Sequence, residues 1–248
     1  MIIERYQKSP AALRFLSAAG LFLGLILSAP PVSAQSASDI WLLPVTWQGD
    51  TLMALGAPEN VTHRPGYDNQ PAFLPDGSGF LYSAMDESGQ ADAWMYTLKA
   101  KTSTRLTSTP ESEFSPTPIP GDTAFSCVRV EADSAQRLWR FPMPSGEPAV
   151  LLPDVKPVGY HLWVAQNLLA LFILGEPNHL DFLQTITGHQ KHLADNIGRS
   201  FHRIPTRNAV SFIDKFRPRH KHSDPAVRAE AVRTLGESVL IASIARED

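Results

Sequence analysis

Two stretches of this 248-residue chain repeat each other at a constant offset, and that regularity limits the folds open to it. Asn60-Val61-Thr62, the turn Pro75-Asp76-Gly77, the apolar run Phe80 to Ser83, and Trp94 recur 45 positions later as Arg105-Leu106-Thr107, Pro120-Gly121-Asp122, Phe125 to Val128, and Trp139. Pro118 follows Pro71 by 47. Self-similarity at a period of roughly 40 to 50 residues marks repeat architectures. Each apolar piece is short, rich in β-branched or aromatic residues, and bounded by turn residues, as strands are. In Pro75-Asp76-Gly77 the proline presets its own φ and the glycine supplies the φ > 0 position.

Two fainter copies follow. One comprises Gly159 to Trp163, the turn Ala165-Gln166-Asn167, the strand Leu168 to Leu174, and His179 to Thr187, with Phe182 lying 43 after Trp139. The other comprises Phe201 to Pro205, the turn Arg207-Asn208, and the strand Ala209 to Ile213. Ahead of them all, Asp39 to Leu43 matches the strand around Trp94, Trp41 lying 53 before it. An unpaired strand there would close a ring with the last unit. Four short strands per period, with almost no helix signal between Gln35 and Lys215, predict an all-β chain: a β-propeller of about four blades, complete or incomplete. A β-sandwich has no reason to repeat its turn and its tryptophan at one offset. Of the 21 prolines, 16 fall in this region, many at corresponding turns. Trp94 and Trp139 are expected in packing between blades rather than as ligand platforms.

The ends differ from the middle. Met1 to Arg14 carries three basic residues and one acidic one, and is followed by the apolar run Phe15 to Ala29 and by Val32-Ser33-Ala34. A basic start, a short apolar run and small residues before the cut predict a signal peptide over 1–34, cleaved after Ala34. The competing reading, an uncleaved anchor, meets a run of 15 residues where a spanning helix needs about 20. Periplasmic or secreted localisation follows, with no membrane span after cleavage. The whole chain carries 22 Lys+Arg against 25 Asp+Glu, and loss of the leader takes the net charge from −3 to −5. A nucleic-acid binder would show a basic excess instead. Residues 216–248 form the third segment, a basic linker and a C-terminal helix. Asp224-Pro225 fits an N-cap and first helical position, and Val232, Leu235 and Val239 follow at helical spacing. The run to Gly236 looks like one helix of a HEAT-type repeat, which alone makes no repeat domain.

Gln70-Pro71-Ala72-Phe73-Leu74-Pro75-Asp76-Gly77, followed by Phe80-Leu81-Tyr82-Ser83, resembles the blade signature of TolB-type, WD-repeat-like β-propellers. In those proteins a Pro-x-Phe-Ser-Pro-Asp-Gly core precedes an apolar strand and later an aromatic-rich one. Leu74 stands where serine is usual. The resemblance is specific in the first unit, fair in the second and degenerate afterwards, over about 180 residues. It implies an exported bacterial propeller that binds proteins or envelope components. It does not imply TolB itself, in which a separate α/β domain precedes the propeller. The same blade occurs in propellers attached to prolyl-oligopeptidase-type and tricorn-like proteases. The alternative function is therefore the propeller part of a peptidase or propeller hydrolase whose catalytic domain is absent from this chain.

The residues offer little chemistry, and the expectation is a non-enzymatic chain without cofactor or metal. No Gly-x-Ser-x-Gly elbow occurs. His189-x-x-His192 with Asp195 lacks a metalloprotease glutamate and reads as a solvated connection between blades. His220 and His222 sit in a basic stretch. Asp86, Glu87 and Asp92 share a hairpin whose spacing is not that of an EF-hand. Cys127, the single cysteine, is expected as a small buried hydrophobe. Asn60-Val61-Thr62 is formally a glycosylation sequon. Binding remains. In propellers the loops entering the innermost strands gather around the channel, and the repeat places there Tyr67, Asp68 and Asn69, then Ser112, Glu113 and Phe114, then Tyr160 and His161, then Arg199 and Phe201. This mixed set suits a protein or envelope component, or it merely caps the channel and binds water.

Overall fold

The computed structural model describes residues 37–49, 51–204 and 209–215, with backbone strands at 228–234 and 237–243. The expected signal peptide and the turn Arg207-Asn208 lie outside the described residues. The chain divides into two units, Met1–Asn69 and Gln70–Asp248. Among the described residues there is no helix.

The first unit holds β1 (Trp41–Leu42), β2 (Val45–Gln48), β3 (Thr51–Leu55), β4 (Glu59–Asn60) and the start of β5 (Tyr67–Phe73). β1 pairs antiparallel with β4, Trp41 opposite Asn60, so the first strand is not the unpaired one expected. The reason lies in the repeat itself. Trp41 and Asn60 are the counterparts of Trp94 and Arg105, which also face each other, so β1 and β4 pair as a two-stranded sheet in the way that the outer two strands of the following sheet do. The Ile40 N–H donates to Thr62 Oγ1 at 3.0 Å just as the Ala93 N–H donates to Thr107 Oγ1 at 2.8 Å. Where the later sheet joins its pair with four residues, this unit inserts the β2–β3 hairpin, which exposes Trp47, Leu52, Met53 and Leu55.

The second unit is a series of four-stranded sheets. β5, β6 (Gly79–Met85), β7 (Ala91–Thr97) and β8 (Thr102–Arg105) make the first. The second contains β9 (Ser112–Pro118), β10 (Ala124–Val130), β11 (Gln136–Pro142) and β12 (Ala149–Val150). The third contains β13 (Val158–Ala165), β14 (Leu168–Ile173), β15 (His179–Gln184) and β16 (Gln190–Asp195). All three are antiparallel meanders, and the first three strands of the second sheet begin 45 residues after those of the first. Residues of the second strands β6, β10 and β14 are almost all buried, because apolar layers cover both of their faces. Leu81, Ala93, Phe125, Cys127 and Phe141 fill the layer between the first and second sheets. Val128, Leu138, Val158, Leu169 and Leu171 fill the next, and Phe172, Leu180, Phe182, Phe201 and Val210 the one after. Continuous apolar runs such as Leu168 to Ile173 follow from burial on both faces. Trp94 and Trp139 are half-buried, and Trp139 packs against the first of these layers, as expected of aromatic packing between sheets.

The fourth sheet contains β17 (Ile197–Arg203), β18 (Ala209–Asp214), β19 (Arg228–Thr234) and β20 (Glu237–Ser243), in the order β17-β18-β20-β19. The helix expected from Asp224 to Gly236 is corrected by β19 and β20. These pair antiparallel with only two residues between Thr234 and Glu237, and β20 runs parallel to β18. The β-branched Val232, Val239 and Ile241 suit strands as well as a helix face, and sheet pairing decides between the two.

First strands are sheet edges, where proline is tolerated. Gln70 and Ser115 both adopt left-handed backbone, at φ 59° and 54°, and each precedes a proline. Pro116, not Pro118, is therefore the counterpart of Pro71. Ser115 and Pro116 together oppose Cys127 in a bulge, so the two-residue slip to Pro118 is removed.

Candidate binding strands

The residues expected at channel loops lie inside the first strands themselves: Tyr67, Asp68 and Asn69 in β5, Ser112, Glu113 and Phe114 in β9, Tyr160 and His161 in β13, Arg199 and Phe201 in β17. Their surroundings differ. Phe201 belongs to the apolar layer between the third and fourth sheets. Tyr160 is half-buried and meets Phe172 edge-on at 5.7 Å. Tyr67, Asn69 and Phe114 are half-buried, and Arg199 is exposed.

Asp68 and Glu113 are buried carboxylates 45 residues apart, built alike. In the first unit, Arg64 Nε donates to Asp68 Oδ1 at 2.8 Å, and Thr62 hydrogen-bonds the same carboxylate. In the second unit, Thr109 hydrogen-bonds Glu113, Thr107 lies close enough to favour its charged form, and Arg129 Nε stands 3.3 Å from Oε1. Burial nonetheless pushes both carboxyls above the ordinary range, outweighing these partners. The threonine precedes the acid by six positions in each case. In the next repeat the corresponding pair is Leu152 and Val158, both buried, so the polar pair is exchanged for an apolar one as a unit. This Thr-x5-acid spacing was visible in the sequence and marks the pairing that the strand pattern alone missed.

Around Glu113 the network widens. Arg129 donates to Glu111 Oε2 at 2.6 Å and its guanidinium lies 4.6 Å over the Trp139 ring. Arg105 donates to the buried Asp92 at 2.6 Å, and burial raises that carboxyl too. Corresponding positions of neighbouring sheets also touch, since Gln70 Oε1 accepts the Ser115 N–H at 2.7 Å and the Ser83 hydroxyl at 3.2 Å.

His161 is buried, with Nε2 2.7 Å from Ser126 Oγ. Ser126 Oγ also accepts the Trp163 indole N–H at 2.9 Å and donates to the Thr117 carbonyl at 3.3 Å. His161 Nδ1, the other ring nitrogen, has no hydrogen-bond partner among the described residues. Burial lowers the imidazole pKa to about 3. Ser126 is fully buried and no carboxylate orients His161, so this pair lacks the arrangement of a catalytic triad.

The other motifs resolve individually. Asp86 caps its own hairpin by accepting from the Ser88 and Gln90 N–H groups, while Asp92 turns to Arg105. The three acids of that loop do not converge as a calcium site would require. Cys127 is fully buried and its thiol pKa is raised by burial. The segment after His189 is not a connection but β16, because Gln190 to Asp195 pairs with β15. His192 thereby meets Asp181 and His179 rather than His189.

No family model matches this chain, and no curated protein matches it. Among solved structures, TolB from Acinetobacter baumannii matches 64% of this chain and 38% of its own, at 18% identity and a TM-score of 0.51. The TolB candidate of Agrobacterium tumefaciens matches 64% of this chain and 57% of its own, at 15% identity and a TM-score of 0.53. A looser likeness, at 14% identity and a TM-score of 0.43, reaches a puromycin-hydrolyzing peptidase of Mycobacterium tuberculosis, covering 85% of this chain and 31% of that one. The chain spans less than two thirds of the length of each of these. With four-stranded sheets recurring at the period of its sequence repeat and these neighbours in structure, the chain has the fold of the TolB-type β-propellers.

Proposed function

We propose that this chain is an exported, non-catalytic propeller that recognises a protein or another envelope component along the first strands of its sheets. One observation carries the reading. Five buried side-chain polar atoms have no hydrogen-bond partner among the described residues, though one of them, Arg129 Nε, keeps the 3.3 Å ion pair with Glu113. Four of them, Asp68 Oδ2, Glu113 Oε2, Ser115 Oγ and His161 Nδ1, are on first strands, and Arg129 Nε is on the adjoining β10. Buried polar groups are almost always paired, so their concentration on these strands marks a polar layer under the strands that water or a bound group completes, which favours these strands as the place of recognition. β9 and β13 are also sheet edges, and an edge carries backbone N–H and C=O groups to which an extended peptide can align. The half-buried Phe114 and the exposed Arg199 supply side-chain handles. Export rests on the leader and the acidic balance of the sequence. Among the described residues no helix is long and apolar enough to cross a membrane.

The test is affinity capture from envelope extract with the full chain and with a Phe114→Ala, Arg199→Ala double variant. A partner held by the wild type and lost by the folded double variant supports the reading. Equal capture moves recognition elsewhere. Capture of a separate hydrolase, with turnover in the complex, favours the peptidase alternative.

A further inference from the structure

We infer that His179, Asp181 and His192 form a binding site for one divalent transition-metal ion of the zinc type on the third sheet. His179 and Asp181 stand two apart on β15, and His192 stands opposite Asp181 on β16, beside a register shift at Leu180 and Asp181. Strand periodicity puts the first two on one face, and the pairing brings the third to them.

Asp181, 4% exposed, forms the base of the site. Its Oδ1 is 3.0 Å from His192 Nδ1 and its Oδ2 is 3.5 Å from His179 Nε2. One ligand atom from each residue lies within 4.8 Å of the other two. A tetrahedral zinc ion with bonds of about 2.0 to 2.2 Å holds its ligand atoms about 3.3 Å apart. Each nitrogen already stands near that distance from one oxygen of the carboxylate, His192 from Oδ1 and His179 from Oδ2, so a shift of about an ångström in the side chains brings the three ligand atoms to the spacing the ion needs. Without metal, His192 Nδ1 hydrogen-bonds Asp181 Oδ1 and His179 Nε2 faces Oδ2 at 3.5 Å. Each ring binds the ion through the lone pair of that nitrogen and keeps its one N–H on the other nitrogen, which in His192 faces Asp195, so a neutral ring loses no proton.

The surroundings of the three are those of a built site. Gln190 Nε2 donates to Asp181 Oδ2 at 2.6 Å. Asp195 Oδ1 lies 3.4 Å from His192 Nε2, the ring nitrogen that faces away from Asp181. Outer partners of this kind fix a ligand's orientation and raise its basicity. Asp181 also stands where the first and second sheets place the fully buried apolar residues Ala93 and Leu138, and a carboxylate in that position needs strong partners. Three protein ligands leave a fourth position on the solvent side, because His192 remains about half exposed. There a water or an anionic group of a second molecule completes the shell.

The experiment is calorimetric titration of the full chain, without an affinity tag, using Zn²⁺ alone. The expected result is one equivalent of Zn²⁺ at this site, weakened at least tenfold in His192→Ala and in His179→Ala. A His220→Ala, His222→Ala variant and His189→Ala should keep that equivalent, which separates it from loose binding by other histidines. Asp181→Asn alters a buried group and can unfold the chain, so the more exposed His192→Ala, checked by circular dichroism, decides. Failure of the full chain to take up an equivalent, or unchanged affinity in both single-histidine variants, overturns the inference.

Discussion

His161 gives the sharpest quantitative prediction. In the folded chain its imidazole is buried against Ser126 and titrates at about 3, whereas an exposed histidine titrates at 6.5. Between those values the unfolded chain takes up a proton that the native chain refuses, so stability is complete above 6.5 and is lost as pH falls towards 3. At pH 4.5 two pH units separate the solution from the unfolded pKa. At about 1.36 kcal/mol per unit, the wild type loses close to 2.7 kcal/mol relative to neutral pH through this residue alone. His161→Gln removes the titration while Ser126 keeps Trp163 and Thr117. Urea unfolding of both proteins at pH 7.0 and pH 4.5 isolates the contribution, because every other titrating group cancels in the difference. The stability gap between wild type and His161→Gln should move by about 2 to 3 kcal/mol in favour of the variant on acidification. A gap that stays the same at both pH values would refute the argument, since it would mean that the folded imidazole protonates freely.

Three further outcomes follow from other parts of the structure. A Cβ on Gly79 would lie 2.1 Å from the Tyr96 carbonyl oxygen, so Gly79→Ala should cost at least about 3 kcal/mol in thermal or urea unfolding; a near-neutral effect would contradict the β6–β7 register. Cys127 is fully buried with a raised thiol pKa, so a thiol reagent should label it only as the chain unfolds, and fast native labelling would place it at the surface. Glu113 has its carboxyl raised by burial, so the native state binds its proton more tightly than the unfolded chain and the associated stability is lost as pH rises through the folded pKa. Glu113→Gln should therefore be more costly near pH 4.5 than at pH 7, and the reverse order in unfolding experiments would show an ionised carboxylate stabilised by Arg129.

The repeat was legible because turns, middle strands and tryptophans answer to local rules that act the same way in each copy. Pro75-Asp76-Gly77 and Phe80 to Ser83 announce a turn and an apolar strand; the structure has both and buries that strand on both faces. Pairing was less legible. Trp41 looked unpaired because its partner, Asn60, lies beyond an inserted hairpin whose length no local rule sets. The run from Asp224 to Gly236 has apolar spacing that serves a helix, but the parallel pairing of 240–243 with 209–212 that fixes this hairpin in a sheet is a long-range contact that periodicity does not record. The repeat assigns the candidate residues to equivalent loops, whereas they lie inside first strands and burial divides them: Phe201 packs in a core layer and Glu113 anchors a polar network. In the sequence His192 stands beside His189 and Asp195 in what reads as a connection between blades. The strand pairing that joins it to His179 and Asp181 follows only from β15 and β16 lying side by side.

Site-specific photo-crosslinking tests the central claim, that first strands form the recognition face, most directly. A photoreactive residue at Phe114 should capture, from intact cell envelopes, the same species that wild-type protein retains in affinity capture. One at Ile186, 73% exposed in the β15–β16 hairpin, should not. Capture at Ile186 with none at Phe114 would contradict the account.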